Sequence, residues 1–277
     1  MTTIAITAGQ GQRFRDAGFD VPKHEIRIHG RTLFGWALAS LSSWLDEDAH
    51  VVFIARATDR PQAFLAHQCA LDGIPSYAVI ELEQTTDGQA TTALLAAPAI
   101  RSEHAPFVVY NIDTHVRPYA MRAQDPRGEG WIPVFPGEGS AWSFAAADAQ
   151  GRVSAVREKE RISPHATVGL YWFDSFARYA DLYDRHYAAG DNVAPAGERY
   201  IAPMYNTMID TGCLVTVGRL ALDDVIPLGT PAEAERFAAA APPISSAIDS
   251  ALARQARPAA HHPALQARLD GNRDNLS

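Results

Sequence analysis

Thr3-Ile4-Ala5-Ile6-Thr7-Ala8-Gly9-Gln10-Gly11-Gln12-Arg13 is the stretch that decides the fold. Thr3–Ala8 is a short apolar run that ends in a glycine turn, and it reads as a buried strand. Gly9 and Gly11 allow backbone N–H groups to approach an anion closely. In an open parallel sheet, ligands bind beyond the carboxyl ends of the strands, which is where such a turn lies. The turn fits neither common phosphate loop. The Gly-Lys-Ser/Thr ending is absent, and Phe14 stands where the dinucleotide fingerprint has its third glycine.

Downstream, short apolar strands alternate with amphipathic helices. Helices are expected at Thr32–Leu45, Pro61–Leu71 and Gly88–Ile100, and strands at His50–Ala55, Tyr77–Leu82 and Pro106–Ile112. This order implies a mainly parallel sheet covered on both faces. After about residue 130 the rhythm changes to strands at Trp131–Phe135, Trp142–Ala147, Arg152–Lys159 and Thr167–Phe173, with a turn at Ala149-Gln150-Gly151. Helices near Ser175–Ala188 and Arg199–Thr211, a strand at Leu214–Gly218 and a helix at Ala232–Ala240 follow. Residues 1–240 are expected to form one domain. Residues 241–277, interrupted first by Pro242 and Pro243, read as a short helix to about Arg254 and a polar tail.

The chain has 22 arginines and only two lysines, Lys23 and Lys159. Arginine serves wherever any cation will do. Lysine is kept where a compact ammonium cannot be replaced by a planar fork, as beside a crowded phosphate. Asp113 ends an apolar strand, where a buried carboxylate is costly unless it is paired or binds a metal. A net charge of −8 argues against nucleic acid as a partner, but leaves room for a small anionic ligand in a local basic pocket. No apolar run is long enough to span a bilayer, and the first residues lack the pattern of a signal peptide. Cys69 and Cys213 read as single thiols of a reducing cytoplasm.

Seven motifs in order carry a resemblance: Ala8-Gly9-Gln10-Gly11-Gln12-Arg13, Pro22-Lys23, Asp87-Gly88-Gln89-Ala90, Tyr110-Asn111-Ile112-Asp113, Glu158-Lys159, Gly169-Leu170-Tyr171-Trp172-Phe173 and Gly229-Thr230-Pro231. With them, residues 1 to about 240 resemble the sugar-1-phosphate nucleotidylyltransferases, in the short, capsule-type form that has no C-terminal β-helix. The resemblance implies a three-layer α/β/α, Rossmann-like (GT-A-like) nucleotidyltransferase fold with a mixed, mainly parallel sheet. It also implies a reaction, in which a sugar 1-phosphate or similar phosphorylated acceptor and a nucleoside triphosphate give a nucleotide sugar and pyrophosphate.

By the same resemblance, Ala8, Gly9 and Gly11 bind the nucleotide, and Arg13 and Lys23 are the catalytic cations. Gly88 lets the base lie close to the chain, Asp113 holds Mg²⁺, and Glu158, Lys159 and Gly169 bind the acceptor. Two departures stand out. Pro227-Leu228 replaces the second metal-binding Asp of better-known members, with Asp223 or Asp224 as candidate substitutes. At the spacing where thymidylyl and uridylyl members place a base-reading Gln, this chain has Glu83, with Gln84 beside it. A carboxylate there favours CTP or GTP, and the amide favours UTP or dTTP. The rival readings are a GT-A-type glycosyltransferase, for which Asp113-Thr114-His115 lacks the second carboxylate of an Asp-x-Asp motif, and a non-catalytic regulatory relative. No membrane partner is expected. The oligomeric state stays open, a homo-oligomer included.

Overall fold

Thr3 to Thr7 are all buried, so this strand needs cover on both faces. In the computed structural model, which describes residues 2–188, 193 and 197–243, it has that cover. The chain runs β1 (Thr2–Thr7), α1 (Gln12–Asp16), β2 (Arg27–Ile28), β3 (Arg31–Thr32), α2 (Leu33–Ser40), β4 (Ala49–Arg56), α3 (Pro61–Asp72), β5 (Tyr77–Leu82) and α4 (Gln89–Leu94). It continues through β6 (Phe107–Asn111), β7 (Thr114–Val116), β8 (Gly130–Pro136), β9 (Ser143–Ala147), β10 (Val153–Glu158), β11 (His165–Thr167) and β12 (Leu170–Phe173). The last elements are α5 (Phe176–Tyr187), α6 (Met204–Asp210), β13 (Val215–Arg219), β14 (Val225–Pro227) and α7 (Pro231–Ala239).

The main sheet has the order β10-β9-β11-β8-β12-β6-β1-β4-β5, with β13 paired to β8. Its β6-β1-β4-β5 half is parallel. Beyond β6, the chain neighbours β12, β8, β11, β9 and β10 pair antiparallel, and β13 joins β8 in parallel. Strand alternation splits the core. Ile4, Ile6, Val51 and Phe53 face a cluster under α2 and α3, while Ala5, Val52 and Ile54 face a second cluster under α4, α5 and α6. A third cluster joins Phe14, Phe19, Leu33 and Trp36 to Leu228 and Phe237 of the far C-terminal segment. These layers are the mixed, mainly parallel α/β/α architecture that the sequence implies.

Several elements differ from the sequence reading. The helix expected at Thr32–Leu45 ends at Ser40. Thr32 caps it, accepting from the Gly35 amide, and Ser43 bonds instead to the Met121–Ala123 segment. The helix expected at Gly88–Ile100 shrinks to α4 and a separate 3₁₀ turn at Ala97–Ala99, because Pro98 lacks the amide to continue it. Pro203 likewise delays α6 to Met204. The strand expected at Thr167–Phe173 breaks into β11 and β12 at Gly169, whose φ is +83°. The two-residue strands β2 and β3 and the β7–β14 ladder were too short to show any periodicity. The short helix expected to run to about Arg254 and the tail lie outside the described residues. Among those residues, no helix is long and apolar enough to cross a membrane.

Candidate active site

The carboxyl ends of β1, β4, β5 and β6 open into a cavity of about 730 Å³. Of the residues singled out in the sequence, Ala8, Gly9, Arg13, Gly88, Asp113, Glu158 and Gly169 line it. Gly11, Lys23 and Lys159 are outside the lining, though Lys23 bonds to Asp113 and Lys159 to Tyr200, which are in it. Glu83 and Gln84 are exposed and outside the lining, whereas their neighbours Leu82, Thr85 and Thr86 face inward. Motif spacing selects a position in this loop, but the path of the loop selects which side chain turns in.

The glycines serve different ends. Gly11 has φ +66°, and a Cβ there would stand 3.0 Å from Cβ of Lys23, so the turn packs directly on the lysine segment. A Cβ at Gly9 would meet nothing within 4 Å, which leaves open space on the cavity side. Gly88 lines the cavity but its Cβ direction is filled, because a Cβ there would lie 2.5 Å from the Arg199 amide nitrogen. The Arg199 amide donates to Asp87 O at 2.7 Å, and the Ala90 amide donates to Arg199 O at 3.0 Å. Glycine is required here by the close approach of two backbones.

In the cavity wall, Asp113 Oδ1 accepts from Lys23 Nζ at 2.6 Å. The lysine side chain is 6% exposed and the aspartate 44%. β6 ends at Asn111, two residues before Asp113, so this carboxylate is half solvated rather than buried as its apolar strand suggested. The buried partner is the lysine, and an ammonium removed from water needs that counter-charge. Asp113 O also accepts from the Leu228 amide at 2.6 Å, which ties this turn to the end of β14.

Neither Asp223 nor Asp224 supplies a second carboxylate beside Asp113. They precede β14 at the far end of its ladder, where Val225 pairs with Val116. Asp224 is taken up by the Tyr119 hydroxyl at 2.7 Å and faces Arg117 Nε at 3.8 Å. Glu233 comes nearer. A Cβ at Gly229 would stand 3.8 Å from Asp113 Oδ2 and 3.4 Å from Glu233 Oε2, and both acids line the cavity. Glu233 Oε2 already accepts from the Thr230 amide at 2.8 Å in a capping box. Among the described residues no cluster of three or more His, Cys, Asp or Glu could hold a metal alone. One or two carboxylates completed by substrate phosphates and water is how Mg²⁺ is commonly held, so Asp113 fits that ion.

On the β6 side, side chains build the wall. Glu158 accepts from the Ser143 hydroxyl, and its pKa is raised by burial, against the opposing pull of that bond and of Lys159. Lys159 has φ +55° and donates to the Tyr200 hydroxyl at 2.6 Å, and Tyr200 donates in turn to Glu198. Gly169 leaves room for Asn111, since a Cβ there would sit 2.9 Å from Asn111 Nδ2. The Asn111 side chain is held by Gln89 and Thr7. On the opposite side, Arg56 lines the cavity with its guanidinium against Asp59, and Asp87 faces Arg199 Nε at 3.1 Å.

A solved structure described as a nucleoside-diphosphate-sugar pyrophosphorylase from Vibrio cholerae RC9 is 31% identical to this chain, with a TM-score of 0.78 over 86% of this chain and 99% of that one. The chain belongs to the sugar-1-phosphate nucleotidylyltransferase family. An inositol-1-phosphate CTP transferase from T. maritima shares the fold, at 17% identity and a TM-score of 0.64 over 84% of this chain and 90% of that one. No protein-family model and no curated protein matches the sequence.

In this nucleotidylyltransferase, the sequence missed Arg56, Asp59, Ser143, Glu198, Tyr200 and Glu233 as neighbours of the site. Glu198 lies just before the helix expected at Arg199–Thr211 and Tyr200 within it, but that helix starts only at Met204, so both reach the site from a loop. Arg56 could have been found as the charge that ends the otherwise apolar run His50–Ala55.

Proposed function

We propose that this chain is a Mg²⁺-dependent nucleotidylyltransferase that joins a nucleoside monophosphate unit to a sugar 1-phosphate or similar phosphorylated acceptor and releases pyrophosphate. An acceptor phosphate oxygen attacks the α-phosphorus, an O–P bond forms, and the bond to the β-phosphate breaks. That oxygen is already ionised at neutral pH, so no general base is required. Catalysis is then positioning and charge neutralisation.

The observation that carries this reading is the Lys23–Asp113 pair, in which a buried cation 90 positions away in sequence bonds to a carboxylate that lines the cavity. The open side of Gly9 and the exposed guanidinium of Arg13 would take the triphosphate. Lys23 would face the α-phosphate, where charge develops. Glu158, Lys159 and the backbone at Gly169 would hold the acceptor. Asp113 would hold Mg²⁺, and the ion when bound would neutralise phosphate charge between the two substrates.

The test is pyrophosphate release with ATP, GTP, CTP, UTP and dTTP against a panel of phosphorylated sugars and alcohols, with and without Mg²⁺. Release that requires both substrates and the metal supports the reading. Consumption of a nucleotide sugar with transfer of the sugar, and no pyrophosphate release, would replace it with glycosyl transfer.

A further inference from the structure

Arg56 is the last residue of β4 and pairs in register with Leu82 at the end of β5. Both line the cavity. Asp59, in the 3₁₀ turn that follows β4, accepts from Arg56 Nε at 3.2 Å and from Nη2 at 2.7 Å. The side chains are 27% and 17% exposed, so the pair is largely shielded from water. This fixes the plane of the guanidinium and uses one edge of it. The other edge, with the Nη1 hydrogens and one Nη2 hydrogen, has no protein acceptor among the described residues.

The position decides what that edge can meet. With the α-phosphate at the Lys23–Asp113 centre and the acceptor on the β6 side, the nucleoside must extend the other way, over the ends of β4 and β5. Asp59 offsets the charge of Arg56, which makes it a weak clamp for a phosphate but leaves its donors intact. Two parallel N–H groups match a base that presents two adjacent acceptors. Cytosine does so with N3 and O2, and guanine with N7 and O6. Uracil and thymine place an N–H donor between their two carbonyls, and adenine sets a donor amine beside each of its outer ring nitrogens.

We propose that Arg56, positioned by Asp59, reads the base and selects CTP or GTP over UTP, dTTP and ATP. This rests on the nucleotidylyltransferase reading above. Glu83 and Gln84, the candidates that motif spacing offers for this task, stand outside the cavity lining.

The experiment measures Kd for each of the five triphosphates by calorimetry without acceptor, then kcat/KM for pyrophosphate release, in the wild type, Arg56→Ala and Arg56→Lys. Arg56→Lys keeps the charge opposite Asp59 and removes only the fork, so it reports on reading even where Arg56→Ala folds poorly. The wild type should bind CTP or GTP at least ~10-fold more tightly than the other three. Either variant should weaken the preferred triphosphate by ~10-fold or more and change the others by less than ~3-fold, because one bidentate base contact carries discrimination of that order. A wild-type preference for UTP, dTTP or ATP overturns the assignment. So does an equal loss for all five in the variants, which would make Arg56 a phosphate ligand. Base-selective binding without pyrophosphate release would keep Arg56 as the reader and remove the proposed reaction. No binding of any triphosphate removes both.

Discussion

The two sides of the cavity are built by different means. Parallel strands β1, β4 and β5 end in turns, and their wall is made by the Ala8–Gln10 turn and the Thr85–Gln89 loop, with the side chains of Arg13 and Arg56 set beside them. On the other side, antiparallel strands β9, β10 and β12 present Ser143, Glu158 and Tyr171 from the sheet itself. A wall of main-chain groups is set by the fold and tolerates few changes. A wall of side chains can be altered residue by residue while the strands stay in place. The turns of the first side therefore suit the triphosphate handling shared across a family, with variation there resting on single side chains such as Arg56, and the second side suits an acceptor that varies.

The most severe break falls where the sides meet. Asp113→Asn should lower pyrophosphate release by roughly 1,000-fold, equivalent to about 4 kcal/mol, with an unchanged circular dichroism spectrum. Near wild-type turnover at saturating Mg²⁺ would remove Asp113 from the chemistry. Next, Gly88→Ala should cost about 3 kcal/mol in urea unfolding, since its φ of +144° and the Arg199 backbone both exclude a Cβ. Gly9→Ala, with space around its Cβ, should stay within about 0.5 kcal/mol of wild type while weakening triphosphate binding. Equal stabilities for the two variants would undo the distinction between a packing glycine and a cavity glycine.

Lys23→Arg keeps the charge but not the compact head and should reduce kcat by ~10-fold or more. Thr230→Ala removes one half of the capping box of α7 and should cost about 1 kcal/mol in thermal or urea unfolding.

The smallest effect belongs to the side-chain wall. Burial raises the pKa of Glu158 above its ordinary 4.5, so its ionisation works against the folded state. Its favourable contribution is complete below the unfolded value and is lost as pH rises through the folded one. Glu158→Gln should therefore unfold later than wild type at pH 7, with the difference shrinking as pH falls towards 4.5. A constant difference across that range would mean that the carboxylate is not strained by its site.

The alternation of strands and helices and the glycine turn after β1 were legible because each follows a local rule: periodicity, β-branching, a turn residue at a strand end. The turn glycines Gly9 and Gly11 were legible for the same reason, whereas Ala8 and Gly88 were singled out only through the family resemblance. Lys23 was legible through its rarity, but its tie to Asp113 was not, because no local rule joins positions 90 apart. Glu198, Tyr200 and Glu233 reach the cavity through loops and helix caps whose paths depend on tertiary packing. The Glu83 position shows the limit most clearly. A count of residues back from Gly88 places it correctly in sequence but not in space, since the loop between β5 and α4 turns Thr85 and Thr86 inward instead. Arg56 was hidden by a different cause. Its meaning comes from Asp59, which on paper is one acid in a short polar turn.

Phe14, Phe19 and Trp36 share their packed cluster with Leu228 and Phe237, so residues 14–36 are completed by a segment about 200 positions later. On the ribosome these partners are separated by the time needed to make about 190 to 220 residues, roughly 10–45 s at 5–20 residues per second. Through that interval the nascent segment that carries Arg13 and Lys23 lacks its apolar cover. Folding of this cluster therefore waits on residues 228–237, and until they are made Phe14, Phe19 and Trp36 are an apolar target for a holding chaperone.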